Sequence, residues 1–433
     1  MDPRLIGALA LCWASQAPDA QPAPEPEDPD PEAETALAPA EEGGEAAHEV
    51  AFRYLVQFRP AERVANVRLR VEQRAPGLKR LRFHIDPAQH LDFRGDGNLE
   101  REDDSHVVWR PPEGGGTARW SARLDHLRDQ KSYDARLTSR WALFRGSDLV
   151  PPAASRFVGG STSVGTVRFE LPKRWKLVTP AVEIGPGRYR IDTDRFFARP
   201  QGWMMAGRLR TVVFESAGVQ VTVATPRKLG LELMELRTFL RFTLPSFRTL
   251  LGEMPDRIVI VGAGDPMWRG GLSGPRSLYV HADRPLVSKD GTSPILHELM
   301  HAFMRAVSKE NGDWVVEGLA ELYAVHLLHR AGGMSDAERD AAIAYLRKKG
   351  KGVRSLLAPR STGRRTAKAV GVLDRLDRKI RERTGGDTSL DHVVRRLVES
   401  GAPITTAHFR QVVSDVVGED MAPFFETHVA ATP

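Results

Sequence analysis

Two histidines and a glutamate are the residues of this sequence most able to do chemistry together. They lie in the stretch "ILHELMHAF", residues 295–303, as His297, Glu298 and His301. On a helix, side chains four residues apart project from one face, one turn apart, as two imidazoles that bind one cation must. Glu298 points about 100° away from them, which suits a general base beside the metal rather than a ligand. The alternative interpretation is an ordinary amphipathic helix.

A third ligand is needed, because hydrolytic zinc keeps three protein ligands and one open position. The segment "DWVVEGLAELYA", residues 313–324, offers Glu317, sixteen residues after His301. The short turn "SKENGD" between the two predicted helices lets them face each other. One turn further on, Glu321 is predicted to accept a hydrogen bond from His297 and fix its tautomer. A solvent-exposed glutamate is the alternative for Glu321.

Other metal ligands are scarce. Cys12 is the only cysteine among the 433 residues, so neither an intrachain disulfide nor a cysteine-based metal site is expected. His326 and His329, three residues apart, are interpreted as surface or interface residues rather than as a second site. Any metal must therefore rely on histidine and carboxylate.

The composition is that of a soluble globular protein, with 41% hydrophobic and 27% charged residues. We see no apolar run near the roughly 20 residues that a membrane-spanning helix needs. The formal net charge is +6. Lysine and arginine are interspersed with acids and accompany no nucleic-acid-binding motif, so no nucleic-acid partner is expected.

The N-terminal 47 residues read as two segments that lie outside the folded domains. Residues 1–17, "MDPRLIGALALCWASQA", resemble a secretory signal, and lipid attachment at Cys12 is a second possibility. We therefore expect export to the periplasm or the exterior, with a cytoplasmic location as the alternative. Residues 18–47 carry ten acids and no lysine or arginine, together with many prolines, which predicts a disordered linker.

The elements that must position the candidate ligands follow from periodicity. From 48 to 225, apolar residues alternate with polar ones, for example at Val67, Leu69 and Val71, and turn residues separate the runs. The remaining residues, 226–433, read as a small β part, with a buried strand at 258–261, followed by helices. The expected architecture is α+β and multidomain: an antiparallel β-sandwich-like domain followed by a mainly α-helical zincin-type domain.

Helix boundaries are predicted from capping signals. The stretch 229–244 is an amphipathic helix. The zinc helix begins at Ser293 and Pro294 and is predicted to end near Gly312, with a restart at Asp313. The next stop is predicted at Gly332 and Gly333, and a capping box follows at Ser335 and Glu338.

Four stretches together resemble the catalytic domain of the glycyl aminopeptidase family of gluzincin metallopeptidases. They are "HELMH", "WVVEGLAELYAVHLLHRAGGMSDAER", "IRERTGGDTSLDHVVRRL" and "FRQVVSDVVGEDMAPFFETHV". The resemblance covers roughly residues 256–433, without the PDZ domain often found in the family. It implies one Zn²⁺ per chain bound by His297, His301 and Glu317. It further implies that Glu298 activates water for hydrolysis of a peptide or protein substrate.

The sequence departs from the family at two substrate-facing positions. Where the family has "GGLEH", whose glutamate binds the free amino group of the substrate, this chain has "GGLSG" at 270–274. Where the family has a tyrosine that stabilises the oxyanion, this chain has Thr366. Tyr323, Tyr279 and His281 are possible replacements. The candidate substrate-binding residues are Gly270, Gly271, Leu272, Ser273 and Tyr323.

Three functions stay open. The first is an active zinc peptidase whose aminopeptidase specificity is uncertain. The second is a catalytically weak or inactive protein with a peptidase fold that binds peptides or a protein partner. The third is a helical domain without metal.

Overall fold

The computed structural model describes residues 48–192, 197–228 and 230–430. The predicted signal segment 1–17, with Cys12, and the predicted linker 18–47 lie outside the described residues. Within the described residues, no helix combines the length and the apolar character needed to cross a membrane.

Alternating apolar residues form the strands of the N-terminal region. In β2, Val67, Leu69 and Val71 are buried while Arg68 and Arg70 are exposed, as the period of two predicts. The strands and the single short helix of this region are β1 (Glu49–Arg59), β2 (Val64–Gln73), β3 (Leu78–His84), β4 (His90–Gly95), β5 (Asn98–Arg101), β6 (His106–Arg110), β7 (Gly115–Arg123), β8 (His126–Leu127), β9 (Tyr133–Leu137), β10 (Trp141–Arg145), α1 (Gly146–Leu149), β11 (Ala153–Phe157), β12 (Thr162–Glu170), β13 (Lys176–Val178), β14 (Val182–Gly185), β15 (Arg188–Ile191) and β16 (Trp203–Gly207).

These strands form three sheets around one apolar core. Their orders are β14-β15-β12-β1-β2-β7-β4, β11-β3-β6-β5 and β13-β16-β10-β9-β8. The pairs are antiparallel, as expected, apart from β1 and β12, which run parallel. Phe52, Phe83 and Trp120 are among the rings buried between the sheets. The sheet-rich N-terminal region predicted from the sequence is therefore present.

The second region begins with a small sheet and continues as helices. Its elements are β17 (Leu209–Ser216), β18 (Val219–Pro226), α2 (Leu233–Leu251), β19 (Arg257–Val261), β20 (Gly271–Gly274), β21 (Ser277–Val280), α3 (Pro294–Met304), α4 (Asp313–Arg330), α5 (Asp336–Lys349), α6 (Arg364–Arg383), α7 (Leu390–Ser400), α8 (Thr406–Val417) and α9 (Ala422–His428). The predicted capping box at Ser335 and Glu338 begins α5.

The small sheet has the order β17-β18-β19-β21-β20 and carries the strand nearest the candidate site. β18 pairs with β19 in parallel, so this sheet crosses the domain boundary predicted between residues 225 and 226. A separate apolar cluster joins the sheet to the N-terminal region, with Trp203 and Met205 from β16 packed near Val259 and Tyr279. The two regions thus share a continuous interface behind β20.

Two helix boundaries differ from the prediction. α2 begins at Leu233 and runs through Pro245 to Leu251, because Phe247 and Leu250 are buried in the core. α3 ends at Met304, eight residues before the predicted stop at Gly312. Arg305 closes it with a left-handed backbone conformation, φ 51°. The residues that follow form a loop, in which Ser308 bridges to Ile404.

Close packing places α4, which carries Glu317. A Cβ on Gly318 would lie 2.8 Å from the Cβ of Ala369 and 2.8 Å from Leu373 Cδ1, so α4 and α6 approach closely at this glycine. Such a contact leaves no room for any larger residue without a shift of one helix. The position of Glu317, directly before Gly318, is therefore fixed by the α4–α6 contact.

Candidate metal centre and cleft

His297 and His301 lie one turn apart on α3 and face α4. Their Nε2 atoms are 3.0 Å apart. Glu317 on α4 brings Oε2 to 3.6 Å from Nε2 of His297 and Oε1 to 3.3 Å from Nε2 of His301. Three ligands at the usual zinc distances sit about 3.3–3.4 Å from one another in a tetrahedral site. The donor set and its spacing therefore fit one zinc ion.

Glu321 orients the first imidazole. Nδ1 of His297 donates to Oε2 of Glu321 at 2.8 Å, which leaves the lone pair of Nε2 directed at the cluster. Glu321 and Glu317 are one turn apart on α4, so both reach the same histidine. A carboxylate behind a ligating histidine also raises the basicity of that histidine.

The cluster is electrostatically matched to a cation. Burial disfavours the charged imidazole of His297, but hydrogen bonds to Glu317 and Glu321 outweigh burial and hold the pKa of His297 well above its usual range. Burial also disfavours the charged form of Glu317, yet the charge of His301 and the hydrogen bonds to both imidazoles hold the pKa of Glu317 well below its usual range. Protons and a metal therefore compete for the same nitrogen atoms.

Glu298 stays outside the group of three potential ligands. It lines the cleft and lies against β20, where a Cβ on Gly271 would be only 3.1 Å from Glu298 Cγ. Glycine at 271 thus lets the strand pass close to the glutamate. This arrangement suits a proton acceptor beside the metal rather than a fourth ligand.

The cleft in front of the cluster has a volume of about 3290 Å³. Small-ligand pockets are typically about 300–1,000 Å³, so the volume of this cleft leaves room for an extended chain. Gly271, Leu272 and Ser273 line it, whereas Gly270 does not. Of the predicted substrate residues, the structure brings these three to the side of the cleft that β20 forms.

Tyr323, by contrast, lies away from the cleft. It is buried, and its hydroxyl donates to Oδ1 of Asp391 at 2.7 Å, next to Arg330. Two residues beyond Glu321 on the same helix, it points about 200° away from that glutamate. The structure does not bring Tyr323 together with the other predicted site residues.

Thr366, at the position of the family's tyrosine, and the other two possible replacements do not contact the metal cluster. Tyr279 donates its hydroxyl to the carbonyl of Trp268 at 2.5 Å. Thr366 lines the cleft, but its hydroxyl donates to the carbonyl of Ser361 at 3.0 Å. His281 is fully buried. None of these three donates a hydrogen bond to the residues of the metal cluster.

Asp265, His281 and Asp283 form a second group of potential ligands within the described residues. Arg269 lies between the two acids, with Nη2 2.5 Å from Oδ2 of Asp265 and 3.5 Å from Oδ2 of Asp283. The guanidinium already forms ion pairs with both carboxylates, which leaves this group poorly suited to a cation.

The remaining histidines of α4 do not join the metal cluster. Nε2 of His329 lies 3.1 Å from Oδ1 of Asp336. Burial lowers the pKa of His326 to about 4, and its ring lies 5.9 Å from that of Tyr323.

Arg284 is a cleft residue that the sequence reasoning missed. It lines the cleft from the segment between β21 and α3. Its charge interacts with Glu298 and Glu321. This segment contains no periodic pattern or motif, so Arg284 could not be predicted as a cleft residue.

No protein-family model matches the sequence, and no curated protein matches it. Solved structures do match. An aminopeptidase N family protein from Idiomarina loihiensis has a TM-score of 0.68 at 15% identity, over 88% of this chain and 76% of that chain.

Two further structures resemble the chain. An M1 zinc metallopeptidase from Deinococcus radiodurans has a TM-score of 0.57 at 16% identity, over 89% of this chain and 95% of that chain. Aminopeptidase A from Legionella pneumophila, in complex with aspartic acid, has a TM-score of 0.57 at 13% identity, over 90% of this chain and 50% of that chain. At these identities the likeness shows a shared fold. The expected architecture, a sheet-rich N-terminal region followed by a mainly helical region, is therefore confirmed and is shared with these structures.

Proposed function

We propose that this chain, which has the fold of zinc metallopeptidases, hydrolyses peptide bonds. In this proposal His297, His301 and Glu317 hold one Zn²⁺, and Glu298 is the general base. The observation that carries the proposal is the approach of the three potential ligand atoms to within 4.8 Å of one another, with Glu298 beside them on the cleft wall.

Each side chain then has one task. When bound, zinc supplies the Lewis acidity that activates water and polarises a carbonyl. Glu298 accepts the proton of the attacking water and delivers it to the leaving amine. Glu321 keeps the proton of His297 on Nδ1, so that Nε2 remains available to the metal.

The proposed substrate is a peptide or a protein segment. Support comes from the volume of the cleft and from β20, the last strand in the order of the small sheet, where Gly271 to Ser273 line the cleft. The proposal does not extend to aminopeptidase specificity, because the neutral hydroxyl of Ser273 cannot form an ion pair with an ammonium group.

The test compares the wild type with Glu298→Gln on mixed peptide substrates. We expect turnover to fall by about 10²–10⁴ while zinc stays bound, because the substitution removes the base and leaves the three ligands. Glu310→Gln is the matched control, since Glu310 is an exposed glutamate on the same cleft. Equal turnover by wild type and Glu298→Gln, with zinc in both, contradicts the hydrolytic proposal.

A second candidate function is peptide binding without efficient catalysis. It is favoured by Thr366, whose hydroxyl is held by Ser361 at the position where the family resemblance implies an oxyanion donor. Loss of one such donor typically costs about 10²–10³ in rate. Zinc content separates both functions from a purely structural helical domain: a wild type free of zinc after gentle purification excludes the two together.

Export remains a proposal supported by the sequence of residues 1–17 alone. Fractionation of the native host, with the mass of the mature protein, tests it. A protein found in the cytoplasm with its first 17 residues intact excludes export. A mass that includes a lipid on Cys12 supports membrane attachment.

A further inference from the structure

Arg284 lines the cleft and forms no ion pair within the described residues. Its side chain is half-buried on the cleft wall, and its Nε atom is buried without a hydrogen-bond partner in the part of the chain that the structure describes. A buried donor without a partner is costly, and an arginine keeps its charge at all physiological pH values. Since the residue lines the cleft, its positive charge is available to an anion that enters the cleft.

The acids nearest Arg284 in sequence are already occupied. Asp283 faces Arg269, with Oδ2 3.5 Å from Nη2. Asp290 accepts a hydrogen bond from the hydroxyl of Thr292 at 2.8 Å. Neither carboxylate lies within ion-pairing distance of Arg284 among the described residues.

Two further carboxylates near Arg284 also have other neighbours. Glu321 accepts from Nδ1 of His297, and Glu298 lies beside the metal cluster. Burial lowers the pKa of the Arg284 guanidinium, and the charges of Glu298 and Glu321 act against that effect. The charge of Arg284 thus interacts with that of Glu298, although the two side chains do not form an ion pair.

The wall at β20 has no acid to bind an amino terminus. Ser273 stands where the family resemblance implies a glutamate, so the charge that would attract an ammonium is missing there. On the same cleft, Arg284 supplies a positive charge that pairs with no carboxylate among the described residues. Together the two positions favour an anionic group on the substrate over a cationic one.

We propose that Arg284 binds a carboxylate of the substrate, so that the cleft selects peptides with a C-terminal carboxylate or an acidic side chain near the cleaved bond. The planar guanidinium suits this role, because it donates two parallel hydrogen bonds to one carboxylate. The inference rests on the proposed function, since it names the substrate class of the same site.

The experiment uses the zinc-loaded full-length protein and two matched pairs of N-acetylated peptides. The first pair differs only in a C-terminal carboxylate against a carboxamide. The second pair, amidated at the C-terminus, differs only in one glutamate against glutamine. We measure kcat/KM for the wild type, Arg284→Gln, Arg284→Lys and Lys289→Gln. Lys289→Gln is the matched control, because it removes one positive charge from an exposed residue of the same cleft.

We expect the wild type to prefer the carboxylate member of one pair by about tenfold to a hundredfold. The pair that shows the preference identifies the source of the carboxylate. Arg284→Gln should abolish the preference, so that both members of the pair are cleaved with the same kcat/KM. Arg284→Lys should keep part of the preference, because the charge stays but the planar fork is lost. Lys289→Gln should keep the full preference.

Two results overturn the inference: a wild type that does not distinguish the members of either pair, or an Arg284→Gln variant that loses activity equally on charged and neutral peptides while zinc is retained. The wild-type comparison decides even if Arg284→Gln folds poorly.

Equilibrium binding of the same peptides to the zinc-loaded wild type separates this inference from the proposed function. Binding that prefers the carboxylate and depends on Arg284, without turnover, supports the inference and contradicts hydrolysis. Turnover without a preference for the carboxylate supports hydrolysis and contradicts the inference.

Discussion

The two walls of the cleft are built in different ways. On the helical wall, α3 and α4 bring His297, His301, Glu317 and Glu321 together, and these side chains bond to one another at 2.8–3.6 Å. On the wall formed by β20, here called the strand wall, the neutral Ser273 lines the cleft. The start of α6 contributes Thr366, whose hydroxyl donates to the carbonyl of Ser361.

This contrast separates metal binding from substrate recognition. The helical wall has the side chains and the spacing of a metal site, whatever the substrate is. Ser273 on the strand wall and Thr366 on α6 are both uncharged, so neither position supplies a charge to a substrate. Substitutions on the helical wall should therefore affect metal content, whereas substitutions on the strand wall or at Thr366 should leave the metal in place.

The largest effect is expected for Glu317→Gln. The amide keeps the size of the side chain but loses the anionic ligand, so we expect loss of zinc and a fall in turnover of at least about a thousandfold. Elemental analysis and peptide turnover measure the two effects. Glu310→Gln serves as the control. A Glu317→Gln protein that keeps both zinc and activity would contradict the role of Glu317 as a metal ligand.

Glu321→Ala should weaken zinc binding by about 10–100-fold, because the Nδ1 proton of His297 loses its acceptor. Glu321→Gln should be milder, since its amide oxygen still accepts that hydrogen bond. Competition against a calibrated chelator measures the affinity. If both variants bind zinc as tightly as the wild type, the hydrogen bond at 2.8 Å does not support the metal.

Gly271→Ala tests the strand wall without adding charge. The new Cβ would lie 3.1 Å from Cγ of Glu298, so the glutamate must move by a few tenths of an ångström. Since small displacements of a catalytic group reduce rates steeply, we expect kcat to fall about tenfold with zinc content unchanged. Gly114→Ala, which meets no atom within 4 Å, controls for the substitution itself. Loss of zinc from Gly271→Ala would contradict the separation of the two walls.

The smallest effect on turnover is expected for Thr366→Val. Because the hydroxyl of Thr366 donates to Ser361 rather than into the cleft, removing it should leave turnover within about twofold. The free energy of unfolding should fall by about 1 kcal/mol, the usual cost of one lost hydrogen bond. Denaturant unfolding and peptide kinetics measure these quantities. A fall of a hundredfold or more in turnover, at normal zinc content, would assign the hydroxyl to catalysis.

Sequence reasoning predicted the helical wall and much of the fold because both depend on local periodicity. His297 and His301 share a face wherever four residues span one turn, and Glu317 and Glu321 do so for the same reason. The period of two likewise identified the buried strands, as in β2 and β18. The end of α3 was wrong because Arg305, a residue without a sequence preference for the left-handed region, closes the helix.

The sequence by itself determined the chemical types of the site: two imidazoles, three carboxylates and their helical spacing. Only the tertiary structure decided that Tyr323 turns to Asp391, that Gly271 lets β20 pass against Glu298, and that Arg284 lines the cleft with no ion pair to another described residue. The physical reason is that helical spacing fixes angles within one element, while distances between elements depend on packing of distant segments. That packing leaves no periodic trace in the sequence.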